Sequence, residues 1–250
     1  RTLLLDGGGL FGTPRMGGFR TGLDIGEQVV SPYLWSRGVR RLDAVALSHA
    51  HQDHLDGLHA VLRNFQVGEL WVGRDVASPA YRALLAAAAR RGVRVTHLAR
   101  GDEFAWGDVR GTLLWPERQQ GAPAAPARNN DSLVLRLDFG RTSALLPGDI
   151  ERDVERELAA RGWMLDVDFL KVPHHGSRTS ATREFLLAVT PQAAAISLSA
   201  TNPFGHPHPE VLARLAAGGA LVLRTDRDGA VTFVSDGKTW SVRGFIERPQ

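Results

Sequence analysis

Cysteine is absent from the 250 residues, which excludes disulfides, thiolate nucleophiles and thiolate metal ligands together. Any metal must then be held by His, Asp, Glu or Asn. Lysine is nearly absent too: of the 30 basic residues, only Lys171 and Lys238 are lysine, and the formal net charge is only +3. Arginine suits bidentate phosphate contacts, but a genome-wide codon bias produces the same skew, so charge alone names no polyanion. No run reaches the ~20 apolar residues of a membrane span, and no secretory signal pattern opens the chain, so this stretch reads as soluble. It begins on Arg1-Thr2-Leu3-Leu4-Leu5-Asp6, already a strand pattern and without an initiator Met, as expected of a piece of a longer protein. Repeats of fixed period are lacking, and the Pro/Ala tract at 121–130 is too short for an interdomain linker.

What is present is enough for a full core: 43% of the residues are hydrophobic, and a single α/β domain spanning 1–250 is the expectation. Short β patterns alternate with helical ones. Strands are predicted at 2–5, 44–47, 70–72, 93–96, 109–114, 133–137, 143–146, 167–172, 193–198, 220–223 and 230–234. Helices are predicted at 25–37, 55–64, 79–91, 151–161, 182–189 and 210–217. Gly38, Gly92 and Gly162 follow three of these helices as left-handed stop residues. The glycine-rich stretch 7–22 and the tract 121–130 are expected to be surface loops.

Chemistry concentrates in three places. The buried-strand pattern of residues 42–48 runs into His49-Ala50-His51-Gln52-Asp53-His54. His49 and His51 point the same way from an extended strand end, while Asp53 and His54 return at the start of the next helix. Four ligand-type side chains are thereby aimed at one point. Next, Leu145-Leu146-Pro147-Gly148-Asp149 ends a strand with a carboxylate in a tight turn. Asp149 there reads as a metal bridge or, taken alone, as a cap for the following helix. Finally, Val172-Pro173-His174-His175-Gly176-Ser177 ends another strand with two histidines. Adjacent side chains diverge, so one ligand and one substrate-facing histidine are expected. His59, His97 and His208 lack ligand-like neighbours and read as structural.

Strand-HxHxDH-helix, strand-PGD-helix and strand-HHGS in this order resemble the metallo-β-lactamase superfamily over nearly the whole chain. Within it, several local signatures resemble the C-terminal domain of the ComEC-type DNA-uptake channel proteins of bacterial competence. They are Leu5-Asp6-Gly7-Gly8, residues 129–135 (NNDSLVL), residues 146–151 (LPGDIE), His174-His175-Gly176-Ser177, residues 202–207 (NPFGHP) and residues 224–230 (RTDRDGA). The resemblance implies a four-layer αββα sandwich and two divalent metal ions, Mn²⁺ favoured and Zn²⁺ possible. It makes His49 and His51 ligands of one ion, Asp53 and His54 ligands of the other, and Asp149 the bridge. His175, or failing that His174, completes the second set. The superfamily's third histidine for the first ion is missing, since no histidine lies between His97 and His174. Asn129 and Asn130 occupy that stretch, and oxygen ligands in place of imidazole favour a harder, weaker site.

The implied activity is metal-dependent hydrolysis of DNA phosphodiesters during natural transformation. Asp53, His174 and His206 are the expected catalytic residues, with Asn129, Asn130 and Ser177 touching substrate and loop arginines Arg15, Arg20, Arg128 and Arg178 near the backbone. The implied partners are DNA and the rest of a ComEC-like membrane channel, with no nucleotide cofactor. The implied location is the extracytoplasmic face of the cytoplasmic membrane. Two other readings fit the same motifs: a stand-alone hydrolase of small phosphodiesters, thioesters or lactams, and a non-catalytic module of a DNA transporter.

Overall fold

A computed structural model describes residues 1–9, 23–121, 125–162 and 165–246. Two compact units share the chain, one made of Arg1–Ala99 with Pro116–Leu133, the other of Arg100–Trp115 with Val134–Gln250.

In the first unit, strands β1 (Leu3–Leu5), β2 (Arg41–Leu47), β3 (Gln66–Val72) and β4 (Arg94–His97) form a parallel sheet in that order. Parallel pairing demands crossovers, and helices supply them: α1 (Ser31–Ser36), α2 (Gln52–Leu55), α3 (Leu58–Asn64) and α4 (Pro79–Arg90). Leu42, Ala44, Val45, Ala46 and Leu47 of β2 are all buried, as befits a strand flanked on both edges and covered on its faces. One stripe of α3 (Leu58, Val61 and Leu62) packs with Leu34, Leu70 and Leu84 into the core. Truncating any of these leucines to Ala costs about 2–5 kcal/mol by the usual cavity penalty.

The second unit carries a seven-stranded mixed sheet, introduced in chain order as β5 (Glu103–Trp106), β6 (Val109–Trp115), β7 (Val134–Phe139), β8 (Thr142–Leu146), β9 (Phe169–Lys171), β10 (Ala193–Ile196) and β11 (Leu221–Arg224). Pairing is antiparallel from β5 to β8 and parallel from β8 to β11. Helices α5 (Arg152–Ala160), α6 (Arg183–Val189) and α7 (Pro209–Ala217) make the parallel crossovers, and their Leu158, Phe185 and Val211 meet Leu145, Leu170 and Ile196 of the sheet. A short α8 (Thr225–Asp228) leads to the hairpin of β12 (Val231–Ser235) and β13 (Trp240–Gly244). The hairpin is seated by Phe233 stacking on Phe169 and by Trp240 Nε1 donating to Asp168.

The predicted elements reappear with shifted ends, and three differences have physical causes. The helix expected over 55–64 is two, α2 and α3, because the Gly57 amide bonds to the Gly8 carbonyl instead of continuing the helical ladder, while Asp56 and Gly57 themselves keep helical backbone angles. The helix expected over 25–37 opens as a π-helical turn, Gly26–Val30, before α1. Strands β5 and β13 were not predicted: each is short and alternates exposed with half-buried residues, so neither shows a sustained apolar face. Gly38, Gly92 and Gly162 do adopt positive φ (74°, 66° and 65°). Among the described residues no helix is long and apolar enough to cross a membrane.

Candidate metal-ligating clusters

The first cluster sits at the C-terminal end of β2. His49 follows the strand directly, His51 is the extended residue before α2, and Asp53 and His54 lie in its first turn. The turn is fixed from below by the Leu5-Asp6-Gly7-Gly8 segment. Gly7 N–H donates to the His54 carbonyl at 2.8 Å and Gly57 N–H to the Gly8 carbonyl at 3.0 Å. A side chain at Gly57 would collide with the Gly7 carbonyl, and one at Gly9 with that of Gln52. Glycine here permits close backbone approach.

Hydrogen-bond partners assign the ring nitrogens. His54 Nδ1 is 2.7 Å from Asp6 Oδ2 and His51 Nε2 is 3.1 Å from the Ala127 carbonyl. Both partners only accept, so those nitrogens donate and His54 Nε2 and His51 Nδ1 are the basic ones. Ser48 Oγ donates to Asp6 Oδ2 at 2.8 Å and so receives His49 Nδ1, 3.1 Å away. That leaves His49 Nε2 basic, 3.0 Å from the basic Nδ1 of His51. Two lone pairs converging at that distance are a donor set for a cation. His54 Nε2, for its part, is 3.4 Å from Asp53 Oδ2. Burial pushes the Asp6 carboxyl up, but His54 and the Ser48 amide outweigh it and hold it below the usual range. An ionised Asp6 is what fixes the His54 tautomer.

The second cluster lies at the ends of β8 and β9. Asp149 is 2% exposed and precedes α5 without capping it, since the N-cap is Glu151 and makes no side-chain cap bond. His175 Nδ1 donates to the Ser197 carbonyl at 2.7 Å, which directs Nε2 to Asp149 Oδ2, 3.3 Å away. Lys171 Nζ approaches the other oxygen, Oδ1, at 3.5 Å. His174 diverges from its neighbour: its Nδ1 is 3.3 Å from Glu151 Oε1, and its ring meets that of His206 edge-on at 5.9 Å. Both histidines of the pair hold left-handed backbone (φ 49° and 53°), which costs non-glycine residues on the order of 1–2 kcal/mol each. Burial lowers the affinity of His174 and His206 for a proton, with Asp149 opposing in both cases.

Of the expected substrate residues, Asn129 and Asn130 form a 3-10 turn whose Asn129 carbonyl accepts from Ser132 Oγ at 2.7 Å. Ser177 is buried with its hydroxyl 3.0 Å from Thr179 Oγ1. Arg128 and Arg178 each face a carboxylate, Asp131 at 3.1 Å and Glu210 at 3.4 Å. Arg15 and Arg20 lie outside the described residues. His208 caps α7, its Nδ1 accepting from the Glu210 amide, and His97 pairs with Asp75. Sequence reasoning gave no role to Asp6, Ser48, Glu151 or Lys171. Lys171 carried a signal as one of two lysines in an arginine-rich chain, and Asp6 and Glu151 lie within the Leu5-Asp6-Gly7-Gly8 and 146–151 signatures.

Residues 1–200 match the model of the metallo-β-lactamase superfamily, and the chain belongs to that superfamily. The expected fold class holds with it. The chain is 36% identical over 210 residues to ComE operon protein 3 of Bacillus subtilis (strain 168), covering 84% of this chain and 26% of that protein. It is 33% identical to competence protein ComA of Neisseria gonorrhoeae over 217 residues, 86% of this chain and 28% of that one. It thus spans about a quarter of the length of these relatives. Among solved structures, CmlA, a diiron β-hydroxylase from Streptomyces venezuelae, superposes with a TM-score of 0.49 at 14% identity, covering 74% of this chain and 44% of that one.

Proposed function

We propose that this chain is a metal-dependent nuclease that hydrolyses DNA phosphodiesters during DNA uptake, as the nuclease part of a longer membrane protein acting on its extracytoplasmic face. The observation that carries the chemistry is the fixed tautomer of each histidine, which aims a basic nitrogen at a partner ligand and secures the opposite nitrogen to an acceptor. Substrate class rests on the competence-named relatives. His49 and His51 would hold one divalent ion, Asp53, His54 and His175 a second, with Asp149 shared. Bound there, the ions would supply Lewis acidity toward water and toward a phosphoryl oxygen.

The side chains do the rest. Asp53 orients the attacking water and takes up its proton. His206 donates a hydrogen bond to the phosphate as charge builds on it, while His174, its Nδ1–H given to Glu151, offers Nε2 as an acceptor to water at the phosphate. Asn129, Asn130 and Ser177 border the substrate. Asp6, half-buried, and the Ser48 hydroxyl keep the histidines in register, which is more than a module without metal would need.

With no histidine supplied between His97 and His174, oxygen would have to complete the holding of the first ion, and Mn²⁺ is expected to support activity better than Zn²⁺. The test is cleavage of labelled single- and double-stranded DNA by purified protein across Mn²⁺, Mg²⁺ and Zn²⁺. Cleavage that is best with Mn²⁺ is expected. Protein that binds metal yet leaves both DNA forms intact overturns the nuclease reading and favours a small-substrate hydrolase.

A further inference from the structure

The carboxyl edge of the four-stranded parallel sheet carries more chemistry than the first cluster. Val72 of β3 pairs with Leu47 of β2 on one side and with His97 of β4 on the other. Arg74, two residues beyond Val72, therefore leaves the sheet on the strand between those of His49 and His97. Open α/β sheets take ligands outside the carboxyl ends of their strands. Here the ends of β3 and β4 and the segment 116–121 line a cavity of about 290 Å³, all of it within the first unit. Gln119 clamps the backbone beside Arg74, its Oε1 accepting from the Asp75 amide at 2.6 Å and its Nε2 donating to the Asp75 carbonyl at 3.2 Å. The Asp75 side chain accepts through Oδ1 from the hydroxyl of buried Tyr81 at 2.7 Å and from His97 Nε2 at 3.0 Å. Burial pushes the Asp75 carboxyl up, but His97 and Tyr81 outweigh it and hold it below its ordinary range. An ionised Asp75 only accepts, so His97 Nε2 carries the proton and Nδ1 is the basic nitrogen. Half-buried Arg74 and His97 Nδ1 have no hydrogen-bond or ion-pair partner among the described residues. Glu117 and Arg118, which also line the cavity, are already engaged.

A half-buried guanidinium without a counter-charge calls for an anion, and its fork of N–H donors matches phosphate oxygens. An imidazole nitrogen with its lone pair open calls for a donor. A phosphomonoester offers both. Its oxygens accept from an arginine, and its second ionisation, at about pH 6, lets it keep one P–OH to donate. A backbone phosphodiester has no P–OH to give. We propose that this cavity is a phosphomonoester site, with Arg74 clamping two phosphoryl oxygens and His97 Nδ1 accepting the remaining P–OH. The site stands on the cavity's own geometry and goes beyond the nuclease reading. Hydrolysis of a phosphodiester leaves a phosphomonoester, so that reaction would supply the ligand, either as a strand end or as a free mononucleotide.

The experiment measures binding separately from cleavage. Thymidine 5′-monophosphate, its methyl ester and thymidine are titrated calorimetrically into the whole protein, wild type and the Arg74→Ala, Arg74→Lys and His97→Phe variants, with bound metal and circular dichroism recorded for each. Wild type binds the monophosphate about tenfold or more tightly than the methyl ester or thymidine. Arg74→Ala and His97→Phe lose that preference with the fold and metal content unchanged, and Arg74→Lys restores only part of it. Oligonucleotides ending in 5′-phosphate, 3′-phosphate or hydroxyl groups tell the two sources apart. A preference for a phosphate end that disappears in Arg74→Ala assigns the site to a strand end, and equal binding of all the ends assigns it to the free mononucleotide. Equal binding of monophosphate and methyl ester by wild type overturns the proposal, as does an undiminished preference in Arg74→Ala. If protein giving either result still cuts DNA, the phosphomonoester site alone falls. An Arg74-dependent preference in protein that cuts no DNA keeps the site and removes the nuclease reading.

Discussion

Lys171 stands almost alone as a lysine in a chain that uses arginine nearly everywhere else. Its Nζ lies 3.5 Å from Asp149 Oδ1 and 3.4 Å from the Gly148 carbonyl. A compact ammonium can serve both oxygens in that corner, whereas a planar guanidinium needs more room and a different angle. Holding Oδ1 leaves Oδ2 turned to His175. Lys171→Met is therefore expected to slow DNA cleavage by on the order of tenfold to a hundredfold, with Lys171→Arg failing to restore it, as measured by single-turnover rates at saturating Mn²⁺. A Met variant at the wild-type rate would remove Lys171 from the account. Glu155 poses a different problem, since it is fully buried and accepts the backbone amides of Ala181 and Thr182, the latter at 2.8 Å. Burial raises its carboxyl above the ordinary value of 4.5 despite those amides and Arg214. Because the folded-state value is the higher one, the stability it contributes is complete below about pH 4.5 and is lost as pH rises through the folded-state value. Urea unfolding at pH 5 and pH 8 should accordingly show wild type losing stability relative to Glu155→Gln as pH increases. A pH-independent difference between the two would contradict this.

At the scale of elements, the turn between β2 and α3 depends on glycines that let three backbone segments touch. Gly57→Ala would force the Leu5-Asp6-Gly7-Gly8 segment off α2, since the added methyl group meets the Gly7 carbonyl. Thermal unfolding should report about 1–3 kcal/mol of lost stability, and Mn²⁺ affinity should drop because Asp6 no longer holds His54. Unchanged stability and metal affinity would mean the segment does not set the ligand turn. This is also where the legible and the illegible part company. The clustering of His49 to His54 could be read because a strand pattern and a 2-residue spacing put ligand-type side chains in a known relation. The same holds for Asp149 and the pair His174 and His175 at strand ends. Asp6 could not be assigned, because its partner Ser48 is 42 positions away and nothing local in the sequence encodes that pairing. Nor could His175 be told from His174: both share one strand end, and the Ser197 carbonyl that orients His175 comes from the residue that follows β10, 22 positions away. Strands β5 and β13 escaped for the opposite reason, being local but half-exposed.

For the molecule as a whole, each unit orients its own histidines through bonds within itself: Asp6 and Ala127 in the first, Ser197 in the second. On the proposed function a carboxylate of each cluster should be indispensable. Asp53 and Asp149 are those carboxylates. The most direct test is the rate of Mn²⁺-supported DNA cleavage by the whole protein carrying Asp53→Ala or Asp149→Ala, alongside bound-metal content and circular dichroism. Both variants are expected to keep the fold and lose cleavage by more than about a hundredfold, Asp149→Ala with loss of metal as well. Cleavage near the wild-type rate in either folded variant would contradict the account.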